Sequence, residues 1–205
     1  MNNVRMRPLG IGHSLMPWGA HLLTLSASDF ALDMTVIRYL EAGLIAGEAC
    51  FWITASDAPA DRVRRAACRI GSPIAPFVDT PMLTAVSFRE WYFPNGHLDP
   101  PRVAARWVAV DSTARRKGFI GSRVFAEVSW ASERDRDDFI VYECAGGCSL
   151  RSLPILLICA YAERAVRGEQ LERLRQAHDN VLFESESPIT FYAERKSCAS
   201  EEHHA

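Results

Sequence analysis

The run Pro154 to Ala160, PILLICA, is apolar at all seven positions, and this limits what the chain can fold into. It is far short of the roughly 20 residues a membrane helix needs. It also lacks the alternation of a strand with one wet face, so it predicts a strand buried on both sides and central in its sheet. Pro154 has no N–H and is tolerated only at the very start of such a strand. Cys50 to Thr54, CFWIT, has the same continuous β-rich character. Longer amphipathic stretches separate these runs, and that rhythm predicts an α/β chain.

Strands are also expected at His21 to Leu25, Met82 to Phe88 and Arg123 to Trp130. In the last of these, Val124, Ala126, Val128 and Trp130 share one face, and Phe125 and Glu127 lie on the other. Ser28 or Asp29 caps a helix to about Ala42 with Phe30, Met34, Ile37, Leu40 and Leu44 on one side, and Gly43 ends it. A helix from Pro59 uses proline in its first turn. Further helices are read at Pro101 to Lys117, Asp135 to about Cys148, and Gly168 to His178. The stretch NVLFESESPITFY is read as an edge hairpin. Residues 1–18 read as an N-terminal extension, 19–193 as one domain, and 194–205 as a flexible tail with solvated histidines.

A chain of 205 residues buries about 70% of its unfolded surface, enough for a real core. Net charge is -2, which gives no overall pull toward nucleic acid or anionic lipid. Pro8, Gly10, Gly12, His13 and Pro17 interrupt anything that would serve as a signal-peptide core, so a cytoplasmic protein without a membrane span is expected. Its six cysteines are then reduced thiols. Cys144 and Cys148 form the one close pair, but with no second pair beside them they read as structural, and no metal or cofactor is expected.

An ordered set of fragments carries a family resemblance: His21 before an apolar strand, YLEAGLIAGEACFWIT, EWYFPNGHLDPPRV, GFIGSRVFAEVSWA, the pair Tyr142-Glu143, PILLICAY and LERLRQAHDNVL. Together they resemble the MEDS domain, the sensory module named for methanogens, methylotrophs and the regulator DcmR. The resemblance implies a divergent three-layer RecA/KaiC-like fold, with a mostly parallel sheet flanked by helices. It further implies a role in sensing small organic molecules beside helix-turn-helix or histidine-kinase modules. The first strand reads LLTL where relatives often carry an aromatic and an acidic residue. No output domain is expected within the remaining residues, so signalling would run through homodimerisation or a partner regulator, without direct contact to nucleic acid.

The frame of a phosphate site is visible, but its chemistry is absent. Gly43, Gly47 and Glu48 match the turn that precedes the nucleotide-binding strand in KaiC-like proteins, and are read as fold determinants. After CFWIT, where a phosphate loop needs glycines, a lysine and a hydroxyl, the chain reads TASDAPADR. Asp57 and Asp61 would repel a triphosphate. The expectation is therefore a sensor without catalytic residues. A residual nucleotide enzyme with Glu127 as general base and a purely structural interaction protein are the competing readings.

Ligand contacts are expected beyond the carboxyl ends of the strands, at Thr54, Ser56, Trp130 and Tyr161. Glu127 must find a partner, either Arg123 on its own strand face or a ligand, because an unpaired buried carboxylate is costly. His21, at a strand start, is read as a core histidine or a ligand contact. Trp91 and Tyr92, with Phe93, are read as core packing or as a lid. Glu143 is read as helix support or a contact.

Overall fold

The computed structural model describes residues 6–129 and 133–183. A short antiparallel hairpin, β1 (Met6–Pro8) and β2 (Leu15–Pro17), comes first. It is followed by β3 (His21–Ser26), α1 (Asp29–Ile45), β4 (Ala49–Thr54), α2 (Pro59–Ile70), β5 (Leu83–Ser87), α3 (Phe88–Tyr92) and α4 (Pro100–Arg116). The rest of the described chain runs β6 (Ser122–Glu127), α5 (Glu133–Leu150), β7 (Ile155–Ala162), α6 (Gly168–Ala177) and β8 (Asn180–Phe183). Six strands form one sheet in the order β5-β4-β6-β7-β3-β8, and every pairing is parallel. PILLICA is a central strand, as its composition demands.

Two apolar layers sandwich this sheet. One buries Leu32, Val36 and Leu40 of α1 and Val63 and Ala66 of α2, with Leu9, Ile11 and Met16 of the hairpin region. The opposite layer packs Trp91, Trp107, Phe139, Leu150 and Leu174 from α3 to α6. The loops after β3 and β4 therefore turn toward one face, and those after β6 and β7 toward the other. Crevices open where neighbouring loops part, at β3/β7 and at β4/β6.

Several local expectations are corrected. Gly43 does not end α1, which runs on to Ile45, and Gly47 takes the left-handed turn at φ 73. Gly43 instead allows close approach: a Cβ there would stand 2.7 Å from Cys50 Sγ and 2.9 Å from Arg123 Cδ. Phe30 is 54% exposed, because the buried stripe of α1 runs through Leu32, Val36, Tyr39 and Leu40. The strand expected to reach Phe88 stops at Ser87, whose side chain caps α3 by accepting from Glu90 N–H.

Arg123 does not pair with Glu127. Its guanidinium donates to Glu48 Oε2 (2.7 Å) and to the carbonyls of Pro8 (2.8 Å), Leu9 (3.0 Å) and Tyr39 (3.0 Å). It also lies over the Tyr39 ring at 4.7 Å. Arg7 donates to the other oxygen of Glu48 at 3.0 Å. This buried network ties the hairpin and α1 to the sheet. Of the expected edge hairpin, β8 forms beside β3, and the remainder lies outside the described residues, as do Trp130 and the side chain of Cys148.

Candidate functional site

At the β4/β6 crevice the space beside the turn after β4 is occupied by the protein's own carboxylate. Glu127 ends β6 and accepts from Ala55 N–H at 3.2 Å and from the Ser129 hydroxyl at 3.2 Å. Ser56 N–H donates to Thr54 Oγ1 (3.2 Å), and Ala58 N–H to Ser56 Oγ (3.1 Å). The amides that a phosphate loop would aim at its ligand are thus turned inward. Arg62 is likewise engaged, at 2.6 Å from buried Asp33 and 3.9 Å from Glu127, with its guanidinium over Trp52. Burial raises the Glu127 carboxyl above its usual range, only partly opposed by Arg62 and the two hydrogen bonds.

The β3/β7 crevice is open. A cavity of about 230 Å³ is bordered by Ser26, Ser28, Ser129, Tyr161 and Arg164 among others. A groove of about 590 Å³ continues from it past Ala27 and Arg164 toward Leu171 and Arg175. The cavity therefore lies at the loop after the first strand of the sheet, one strand earlier in the chain than the sequence reading placed the missing phosphate loop. That turn reads SASD. It has neither glycine nor lysine, and the Ser28 hydroxyl is spent capping α1 by accepting from Ala31 N–H at 3.2 Å.

A third constellation lies inside the layer of α3 to α6. His21 opens β3, Cys159 lies within β7, Glu143 comes from α5 on the face shared with Phe139, Ile140 and Leu150, and His178 follows α6. All four are nearly inaccessible to solvent. His21 Nε2 lies 3.1 Å from Glu143 Oε2 and 3.2 Å from Cys159 Sγ, and His178 Nε2 lies 3.8 Å from Glu143 Oε2. Tyr161 donates its hydroxyl to Glu143 Oε1 at 3.4 Å. A small void beside the cluster is bordered by Tyr92, Trp107 and Tyr142.

Electrostatics follow from this burial. Burial and the neighbouring His21 push the His178 imidazole down to about 3, so it is neutral at physiological pH. Burial pushes the Cys159 thiol well up, and the Glu143 charge adds to that. For Glu143 burial acts upward, but the hydrogen bond and charge of His21 prevail and lower it.

Of the expected site residues, His21, Tyr92, Glu143 and Tyr161 converge on this buried cluster, and Thr54, Ser56 and Glu127 on the β4/β6 crevice. Trp91 packs against Trp107 at 4.9 Å between ring centres. Sequence reasoning missed Cys159, His178 and Asp33 as members of these constellations. For Cys159 the available signal was a thiol, a potential soft ligand, within the buried apolar run PILLICA.

Residues 20–179 match the family described as MEDS, MEthanogen/methylotroph, DcmR Sensory domain. Among solved structures, a KaiC-like protein from the hyperthermophilic archaeon Pyrococcus horikoshii OT3 is similar at 14% identity, with a TM-score of 0.61 over 98% of this chain and 92% of that one. At that identity the likeness establishes the fold alone. A search of curated proteins finds no matching sequence.

Proposed function

The chain belongs to the MEDS family of sensory domains, and from that premise we propose a non-enzymatic sensor: it binds a small organic molecule in the β3/β7 crevice and signals to a transcriptional or kinase regulator through protein contact. The observation that carries this reading is the contrast between an open cavity at β3/β7 and a neighbouring crevice filled by Glu127. At about 230 Å³ the cavity is smaller than the roughly 300–1,000 Å³ that holds drug-sized ligands, so it suits a molecule of few heavy atoms. Serine hydroxyls and Arg164 supply polar contacts at its border.

Neither of the two βα turns at these crevices offers the glycine-rich amide cradle or the lysine that grips a triphosphate. Arg62, the nearest cation after β4, is already paired with Asp33. These features argue against ATP turnover. No helix among the described residues is long and apolar enough to cross a membrane.

The test is a thermal-shift screen of small organic molecules with and without magnesium ATP, because a ligand that binds the native state alone raises its stability. A small organic should stabilise the protein, and Ala27→Trp, at an exposed position bordering the cavity, should abolish that shift without lowering the ligand-free melting temperature. Stabilisation by magnesium ATP alone, together with hydrolysis, would overturn the reading in favour of a residual nucleotide enzyme.

A further inference from the structure

We propose that His21, Glu143, Cys159 and His178 form a closed binding site for one divalent transition-metal ion of the zinc class. The ligand atoms of these four residues lie within 4.8 Å of one another. Metal bonds of about 2.0 to 2.3 Å place the ligand atoms of a tetrahedral site roughly 3.2 to 3.8 Å apart. The contacts of 3.1, 3.2 and 3.8 Å that link the two imidazoles, the thiol and the carboxylate already have that spacing. Two nitrogens, one sulfur and one oxygen are a donor set that a borderline-soft ion such as Zn²⁺ accepts.

Orientation supplies an independent argument. His178 Nδ1 lies 2.7 Å from the Leu174 carbonyl, which can only accept, so the ring proton sits on Nδ1. Its Nε2 then presents a lone pair, has no hydrogen-bond partner, and points at the carboxylate oxygen of Glu143. Two acceptors that face each other in a dry interior repel unless a cation lies between them. A backbone carbonyl fixing the tautomer of a ligating imidazole is the usual outer support of a metal site. Tyr161 does the same for Glu143, engaging Oε1 and leaving Oε2 to the cluster. In the metal-bound form Cys159 is a thiolate, so one thiol proton is released to solvent for each ion bound.

The site joins β3, α5, β7 and the segment after α6, so metal binding contributes directly to folding stability. It is separate from the β3/β7 cavity and stands or falls apart from the sensory reading, although Tyr161 borders both.

The experiment uses the full chain loaded with Co²⁺, which reports thiolate ligation by an intense near-ultraviolet charge-transfer band and tetrahedral geometry by its visible bands. One Co²⁺ per chain is expected with both signals, displaced by Zn²⁺. Cys159→Ser should remove the thiolate band, and His178→Gln should weaken binding by at least about tenfold. If either variant fails to fold, the wild-type chain still decides: a strong chelator should lower its melting temperature, and stoichiometric Zn²⁺ should restore it. Folded wild-type protein that gives no thiolate band in excess Co²⁺ and no chelator effect would overturn the proposal. So would a band that survives Cys159→Ser or disappears on replacing His203 and His204 of the tail.

Discussion

Two buried carboxylates on opposite faces of the sheet are held in opposite ways. Glu48, on the α1 side, meets a permanent cation, and each of its oxygens takes an arginine. Arg123 in turn donates to three backbone carbonyls. Glu143, on the α5 side, meets two imidazoles, a thiol and a phenol, whose charge is conditional. A fixed ion pair tied to the backbone by further hydrogen bonds specifies a geometry and has little left to respond with. A cluster of titratable, soft donors is the arrangement that binds or switches. One face thus holds a fixed structural pair, and the other a cluster of conditional charges.

The largest effect is expected from Glu48→Gln. It removes the one carboxylate paired with the fully buried Arg123 among the described residues and leaves a guanidinium without that counter-charge. Breaking a buried pair in this manner costs about 3–5 kcal/mol, or roughly 10 °C in melting temperature for a chain of this size. Chemical denaturation would measure it. A loss under about 1 kcal/mol would show that the pair is not the structural anchor described here. Gly43→Ala probes the same region by sterics, since the new Cβ meets Cys50 Sγ and Arg123 Cδ. Overpacking of this kind costs about 1–3 kcal/mol, read by the same denaturation curve.

Gly43 also shows where sequence reading reached its limit. Glycine after an apolar helical stripe is the ordinary signal for a helix end. Here its lack of a side chain serves a contact with Arg123, 80 positions later in the sequence. The strands CFWIT and PILLICA and the proline-led helix α2 were legible because their signals are local: continuous apolar character, and a missing N–H in a first turn. The buried cluster was not, because His21, Glu143, Cys159 and His178 are distant in sequence and meet only where α5 and the segment after α6 cover the β7-β3 pair. Glu127 was legible as a carboxylate that needed partners. Which partners it found depended on the turn after β4, and no local pattern encodes that.

On the opposite face, Glu143→Gln should cost less. In chelator-treated protein the substituted amide keeps an acceptor oxygen for Tyr161 or His21, and no permanent cation in the cluster is left bare. The expected loss is about 1 kcal/mol, the net value of a hydrogen bond, well below that of Glu48→Gln. Equal losses at the two sites would erase the distinction between them.

The smallest effect is expected at another buried carboxylate, Glu127. Gln keeps an oxygen to accept from Ala55 N–H, its amide nitrogen can donate to the Ser129 hydroxyl oxygen, and Arg62 keeps its 2.6 Å partner Asp33, so no group is orphaned. The change should stay within about 1 kcal/mol. Its pH dependence has a definite sign. Because burial raises the folded carboxyl above 4.5, the native state binds the proton more tightly than the unfolded chain. The stability Glu127 contributes is therefore fully present below about 4.5 and is lost as pH rises through the raised folded value. Glutamine never ionises, so Glu127→Gln should gain on wild type across that rise and keep the gain at neutral pH. Denaturation midpoints of both proteins between pH 4 and 8 check this. A variant that weakens relative to wild type as pH rises would mean that the ionised carboxylate, through Arg62, holds the β4 turn in place, and would move Glu127 into the same class as Glu48.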